Sequence, residues 1–204
     1  MQEINKKLIE AIQGKKALIW DFDGVFCFLD WHYGEGVNVY KNRLWQLLEE
    51  FDPKIRSKFS NGLNYPYEHT DYIIKRYGSE AFNKINTFYL KKELQIFTHS
   101  SFNDELIHVF RDLTQDFEHY IWSNNQGEVI LKALTKSGIH DKFKAIASRD
   151  KIRLAKPNVQ GFDLIKSYTS NPIKSFLFIG DSQQTDTLAA KKLGMEFFFY
   201  KVHL

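Results

Sequence analysis

A run of four apolar residues, Ala17-Leu18-Ile19-Trp20, ends abruptly on Asp21-Phe22-Asp23-Gly24-Val25. Four apolar residues in a row suit a buried strand. An Asp-x-Asp-Gly sequence directly behind it has to turn sharply, and Gly24 permits the turn. Side chains alternate along an extended chain, so Asp21 and Asp23 can point to the same side. Two carboxylates held that close repel each other unless a cation or a shared proton intervenes. Divalent-metal chemistry gives such an arrangement a purpose.

The rest of the chain has two rhythms. Before the strand, Ile4, Leu8, Ala11 and Ile12 mark an amphipathic helix over Met1–Lys16, closed by Gly14, and not a signal peptide. From about Asp30 to Ser101 the pattern is helix after helix with no strand. Val37, Tyr40, Leu44, Leu47 and Phe51 recur at helical spacing, as do Ile73 and Tyr77, then Phe82, Ile85 and Tyr89. Between them Ser60-Asn61-Gly62-Leu63-Asn64-Tyr65-Pro66 is dense in turn formers.

Strands and helices then alternate. A helix carries Leu106, Phe110, Leu113 and Phe117, and a strand spans His119–Ser123. Next come a helix over Gly127–Lys136, a strand at Ala145–Ala147 and a helix over Val159–Tyr168. A strand at Ser175–Gly180, a helix over Asp186–Leu193 and a strand at Glu196–Tyr200 complete the series. Such alternation predicts an α/β fold with a mainly parallel sheet covered on both faces. Ligands of these sheets bind at the carboxyl ends of the strands.

Three further polar clusters fall at those ends. Ser123-Asn124-Asn125 follows Tyr120-Ile121-Trp122 and opens a helix, where exposed amides suit an anion; Ser and Asn are also ordinary helix caps. Lys156-Pro157 precedes the helix from Val159, and a lone Lys is more often a solvated surface residue. Gly180-Asp181-Ser182 ends a buried apolar run, with Asp186 five residues after Asp181. Together the clusters place carboxylates, a hydroxyl and an ammonium on one edge of one sheet, as phosphoryl transfer through a metal requires.

Order and chemistry resemble the haloacid dehalogenase-like (HAD) superfamily of phosphohydrolases. Asp21-Phe22-Asp23-Gly24-Val25 looks like its first motif, Ser123 its second, Lys156 with Pro157 its third, and Gly180-Asp181-Ser182-Gln183-Gln184-Thr185-Asp186 its fourth. The spacing from Asp181 to Asp186 is one residue longer than the commonest family form. The resemblance implies a Rossmann-like core over residues 1–29 and 103–204, with a helical cap of the C1 type inserted over 30–102. It also implies a nucleophilic Asp21 and an acid–base Asp23. Ser123, the Asn124 amide and Lys156 would hold phosphoryl oxygens. Mg²⁺ would be held by Asp21, the Asp23 carbonyl and Asp181, with Asp186 in support. Asp23 favours phosphate esters over halides, whose departure needs no proton. The expected substrate is a small phosphorylated metabolite. In the insert, the loop Ser60–His69, with Tyr65, Tyr67 and His69, is the candidate specificity element, and Trp31 and Tyr33 sit near the hinge.

Other classes share part of this residue set. A phosphomutase of the β-phosphoglucomutase type has the same motifs, and a catalytically silent HAD-fold binding protein retains the fold. A receiver-type signalling domain also uses Asp, Ser or Thr, Lys and a metal, but carries its phospho-acceptor on a middle strand. Composition narrows the field. The net charge of +3 is too small to argue for nucleic acid, and no apolar run approaches a membrane span. The single Cys27 excludes an intrachain disulfide and fits a reducing, cytoplasmic setting; as a residue it reads as a buried filler. The seven histidines show no metal-site spacing. A length of 204 residues suits a monomer or a homodimer equally.

Overall fold

The computed structural model describes residues 3–113 and 116–201; Met1 and Gln2, assigned above to the first helix, lie outside the described residues. The central strand is β1 (Ala17–Trp20), preceded by α1 (Glu3–Ala11). It pairs in parallel with β4 (Glu118–Trp122) on one side and β6 (Phe176–Gly180) on the other. The outer strands are β5 (Phe143–Ala147) beside β4 and β7 (Glu196–Phe199) beside β6. The order β5-β4-β1-β6-β7 means that winding reverses between β1 and β6. The loops after those two strands therefore open on one crevice, where such folds bind ligands.

Alternation along β1 explains the three layers. Leu18 and Trp20 face one core with Ile121, Leu177 and Ile179. That core is closed by Leu8 of α1, by Phe110 of α5 (Asp104–Leu113), and by Val129 and Ile130 of α6 (Gly127–Lys136). Ala17 and Ile19 face the other with Tyr120, Trp122, Phe176 and Phe178. There α7 (Gln160–Lys166) contributes Phe162 and Ile165, and α8 (Leu188–Leu193) contributes Ala189 and Ala190. The Trp20 indole N–H donates to His119 Nδ1 at 3.1 Å, so both polar groups enter the core satisfied.

Between β1 and β4 the chain builds α2 (Gly36–Phe51), α3 (Ile55–Lys58) and α4 (Glu68–Phe97) around a third core of Leu44, Leu48, Ile55, Ile73 and Ile85. The buried stripe of α2 runs through Tyr40, Leu44 and Leu48, whereas Leu47, expected on that face, is half-buried. Gly78, at φ 70° and ψ −140°, divides α4 into two helical pieces. That backbone conformation is essentially restricted to glycine.

Three elements depart from the sequence expectation. A two-stranded antiparallel pair, β2 (Cys27–Phe28) with β3 (Ser101–Phe102), ties the base of the helical stretch, where only helix was expected up to Ser101. Two residues per strand are too few to show a period. Helix α5 is described as far as Leu113, and Phe117, expected on it, lies outside any helix and packs against the core. The segment Gln183–Thr187 is a wide π-type turn, so α8 begins at Leu188 and not at Asp186. Among the described residues, no helix is long and apolar enough to cross a membrane.

Candidate active site

Asp21 leaves the sheet while still in its ladder: its amide donates to the Ile179 carbonyl at 2.8 Å. Its carboxylate is thereby fixed at the crevice, and the residue as a whole is 7% exposed. Oδ1 accepts from the Phe22 amide at 2.8 Å and from Lys156 Nζ at 2.9 Å. The turn that follows depends on Gly24, at φ 82°, where a Cβ would also collide with Asp181 Oδ2. Asp23 is thus brought beside Asp21, but its carboxylate is held by other donors. Oδ1 accepts from the Leu29 amide at 2.9 Å and Oδ2 from the Trp31 indole at 2.7 Å. Burial pushes the Asp23 pKa up to about 6; these hydrogen bonds pull the other way, and the Asp21 charge adds to the rise.

Lys156 lies beneath, with its three ammonium protons directed at the Trp122 carbonyl (2.8 Å), Asp21 (2.9 Å) and Asp186 (2.6 Å). Burial alone would lower its pKa, but the Asp186 and Asp21 carboxylates outweigh it and raise the value. The Asn124 side chain pins this lysine from both sides of its peptide unit. Asn124 Oδ1 accepts from the Lys156 amide at 2.7 Å, and Asn124 Nδ2 donates to the Lys156 carbonyl at 3.3 Å. Ser123 is wholly buried; its amide continues the sheet to Ala147, and its Oγ donates to Asn125 Oδ1 at 2.9 Å.

The wide turn accounts for the extra residue between Asp181 and Asp186. The amides of Asp186 and Thr187 both reach back to the Ser182 carbonyl, at 3.2 and 3.0 Å. The loop takes up one more residue and still swings Asp186 onto Lys156. Asp186 Oδ2 accepts from the Ser182 amide at 3.1 Å, which closes the turn.

Asp21, Asp181 and Asp186 each offer an oxygen within 4.8 Å of the others. Burial, then the charges of Asp21, Asp186 and Asp23, push the Asp181 pKa up to about 7. Burial and the Asp21 charge push Asp186 upward too, against the pull of Lys156. Three hard oxygen donors short of positive charge, in a recess kept open by the missing Gly24 side chain, fit a divalent cation such as Mg²⁺. The Asp23 carboxylate stands outside this trio.

A cavity of about 240 Å³ opens over these groups, lined by Asp21, Asp23, Asn124, Asp181 and Ser182 from the sheet edge and by Trp31, Pro66 and Tyr67 opposite. Ser123, Lys156 and Asp186 do not line it; they form the buried layer that supports it. Of the expected specificity loop, Pro66 and Tyr67 reach this cavity, whereas Tyr65 donates to Asp71 Oδ2 at 2.9 Å.

Several contributors were not foreseen. The bond from Trp31 to Asp23 joins two residues whose nearness in sequence was visible but whose pairing was not. Arg149, after β5, buries its guanidinium among the insert's rings, 4.0 Å from Tyr89 and 4.8 Å from Tyr67, and donates to Thr70 Oγ1 at 3.2 Å. Glu93 of α4 accepts from the Gln126 amide at 2.8 Å, and burial pushes its pKa up to about 8. No sequence signal marked either contact.

Residues 18–200 match the family of haloacid dehalogenase-like hydrolases, and the chain belongs to that family. Comparison with curated proteins finds no match. Solved structures share the fold at low identity. One is the Bacillus subtilis protein YfnB, assigned as a HAD-hydrolase and solved bound to magnesium (18% identity, TM-score 0.56, covering 92% of this chain and 89% of that one). Another is a Lactobacillus plantarum protein assigned as a phosphoglycolate phosphatase (14%, 0.57, covering 91% and 86%). A third is a HAD phosphatase from Thermococcus onnurineus (18%, 0.52, covering 90% and 85%).

Proposed function

We propose that this chain is a Mg²⁺-dependent phosphatase that hydrolyses the phosphate monoester of a small molecule through an aspartyl-phosphate on Asp21. The observation that carries this reading is the division of labour between two neighbouring acids. Asp21 Oδ1 is paired with the buried Lys156 ammonium at 2.9 Å, with Oδ2 left for attack. Asp23, beside it, is biased toward its protonated form by burial.

In the first step an oxygen of Asp21 bonds to phosphorus, the bond to the leaving oxygen breaks, and Asp23 gives that oxygen its proton. In the second, water attacks the same phosphorus and Asp23 takes a proton from it. The bond to Asp21 then breaks, releasing inorganic phosphate and restoring the carboxylate. A carboxylate approaching a phosphate dianion meets repulsion of roughly 4 kcal/mol per unit-charge pair at 4 Å and an effective dielectric of ~20. A bound Mg²⁺ supplies the positive charge that offsets this. Asp21, Asp181 and the Asp23 carbonyl would hold it, with Asp186 beside them. Lys156, kept in place by Asn124, and Ser123 receive the phosphoryl oxygens as the local contacts loosen. Residues 1–29 and 103–204 act as the catalytic core and 30–102 as a cap that excludes water and reads the leaving group. Similarity to magnesium-bound and phosphatase-assigned structures supports this reading.

The test is hydrolysis of an aryl phosphate with and without Mg²⁺, with Asp21→Asn as control. Turnover is expected to need the metal and to fall about 10⁴-fold or more in the variant. Full activity in either blank would refute the proposal.

A further inference from the structure

The catalytic cavity has a neighbour. A second space of about 390 Å³ lies within the helical insert, and Trp31, Pro66 and Tyr67 line both. The shared wall is the indole whose N–H holds Asp23 at 2.7 Å. An alcohol that receives its proton from Asp23 therefore has its oxygen next to Trp31 and its body on the far side of that ring. Beyond Trp31 the lining turns aromatic, with Tyr40 5.9 Å from Trp31 and Trp45 4.8 Å from His69 between ring centroids.

Charge is nearly absent from this lining. Lys41 is the charged side chain among the lining residues, and it is exposed at the edge. His69 is buried, which pushes its pKa down to about 4 and leaves it neutral at physiological pH. Two buried cations lie behind the wall without being part of it: Arg149 sits against the rings of Tyr67 and Tyr89, and Lys92, 5.7 Å from the Tyr40 ring, donates to the Tyr33 carbonyl. A second phosphate, or a carboxylate on the leaving group, would lose its hydration here without gaining a partner. Two lining side chains still lack a hydrogen-bond partner among the described residues: Tyr40 through its hydroxyl and His69 through Nδ1, at 7% and 5% exposure. They suit an uncharged polar atom on an otherwise apolar ligand.

We infer that the leaving group is a planar, largely apolar alcohol, aromatic or heteroaromatic and without a second negative charge, seated between Trp31, Tyr40 and Trp45. This rests on the phosphatase reading and narrows it. It places small hydroxy-acid phosphates and sugar phosphates among the poor substrates.

The experiment compares naphthylethyl phosphate with ethyl phosphate and phosphoglycolate, each with Mg²⁺. Naphthylethyl and ethyl alcohols have similar basicity, so their ratio reads binding and not leaving-group ability. We expect kcat/KM for the naphthylethyl ester to exceed the ethyl ester by roughly 10- to 100-fold. Trp45→Ala should reduce that ratio toward one. A preference for phosphoglycolate, or a ratio near one in the unaltered protein, overturns the inference and leaves the phosphatase standing. Binding is read separately, without turnover, by titrating naphthylethanol and following tryptophan fluorescence. If no ester is hydrolysed, saturable binding that Trp45→Ala weakens keeps the aromatic site and rejects the phosphatase. Absence of saturable binding rejects the site.

Discussion

The two sides of the cavity over Asp21 are built by different physics. On the sheet edge, charged groups are fixed by main-chain geometry close to the strand ends, and the buried Lys156 ammonium is paired with both Asp21 and Asp186. On the insert side, contact is made by rings, and of its two buried cations Lys92 donates to the Tyr33 carbonyl at 2.9 Å while Arg149 Nε and Nη1 have no partner among the described residues. The sheet edge is a charge balance in which removing one member exposes the others; the insert is a packing arrangement that tolerates change.

Replacing one buried cation on each side by methionine gives the sharpest contrast. Lys156→Met leaves Asp186, 0% exposed, without its partner, and should cost about 3–5 kcal/mol in urea unfolding. Arg149→Met removes a cation whose guanidinium is only partly satisfied and keeps the volume, so about 1–2 kcal/mol is expected. Equal losses would erase the distinction.

A pH series at zero metal comes next in size. Asp181, at about 7, and Glu93, at about 8, are both raised in the fold above ordinary carboxylate values, chiefly by burial. An acid raised in this way stabilises the fold fully below its unfolded pKa, and that stability is lost as pH rises through the folded value. The melting temperature should therefore fall between about pH 5 and pH 8. Mg²⁺ should restore the Asp181 share at the alkaline end, and Glu93→Gln should remove the insert's share. A flat or rising profile would contradict the burial of these acids.

The smallest effect concerns the link between the two sides. Trp31→Phe keeps the ring and removes the N–H that pulls the Asp23 pKa down. The limb of the kcat/KM profile that reports Asp23 should move to higher pH with little change in stability. An unmoved limb would show that the indole does not tune the acid.

The same contrast governs what could be read from sequence. Asp21 and Asp181 were legible because each follows a short apolar run whose end is visible in the chain, and Asp23 and Asp186 by their spacing from those two. Helix α6 was legible to the residue for a similar reason. The insert was legible as helices, since Tyr40 and Leu44 keep their period, but its contacts were not. Arg149 meets Thr70 across 79 residues, and periodicity carries no information about such a meeting. The β2–β3 pair was hidden by its length, and the wide turn before α8 by main-chain geometry that residue type does not announce.

The most direct test of the central claim is to trap the covalent state. Enzyme turning over an aryl phosphate with Mg²⁺ is quenched in acid and reduced with borohydride, which converts an aspartyl-phosphate into homoserine. Peptide mass spectrometry should find that conversion at residue 21 and at no other aspartate, and only when substrate is present. Robust turnover with residue 21 unreduced, or reduction at Asp23 or Asp181 in its place, would contradict Asp21 as the nucleophile.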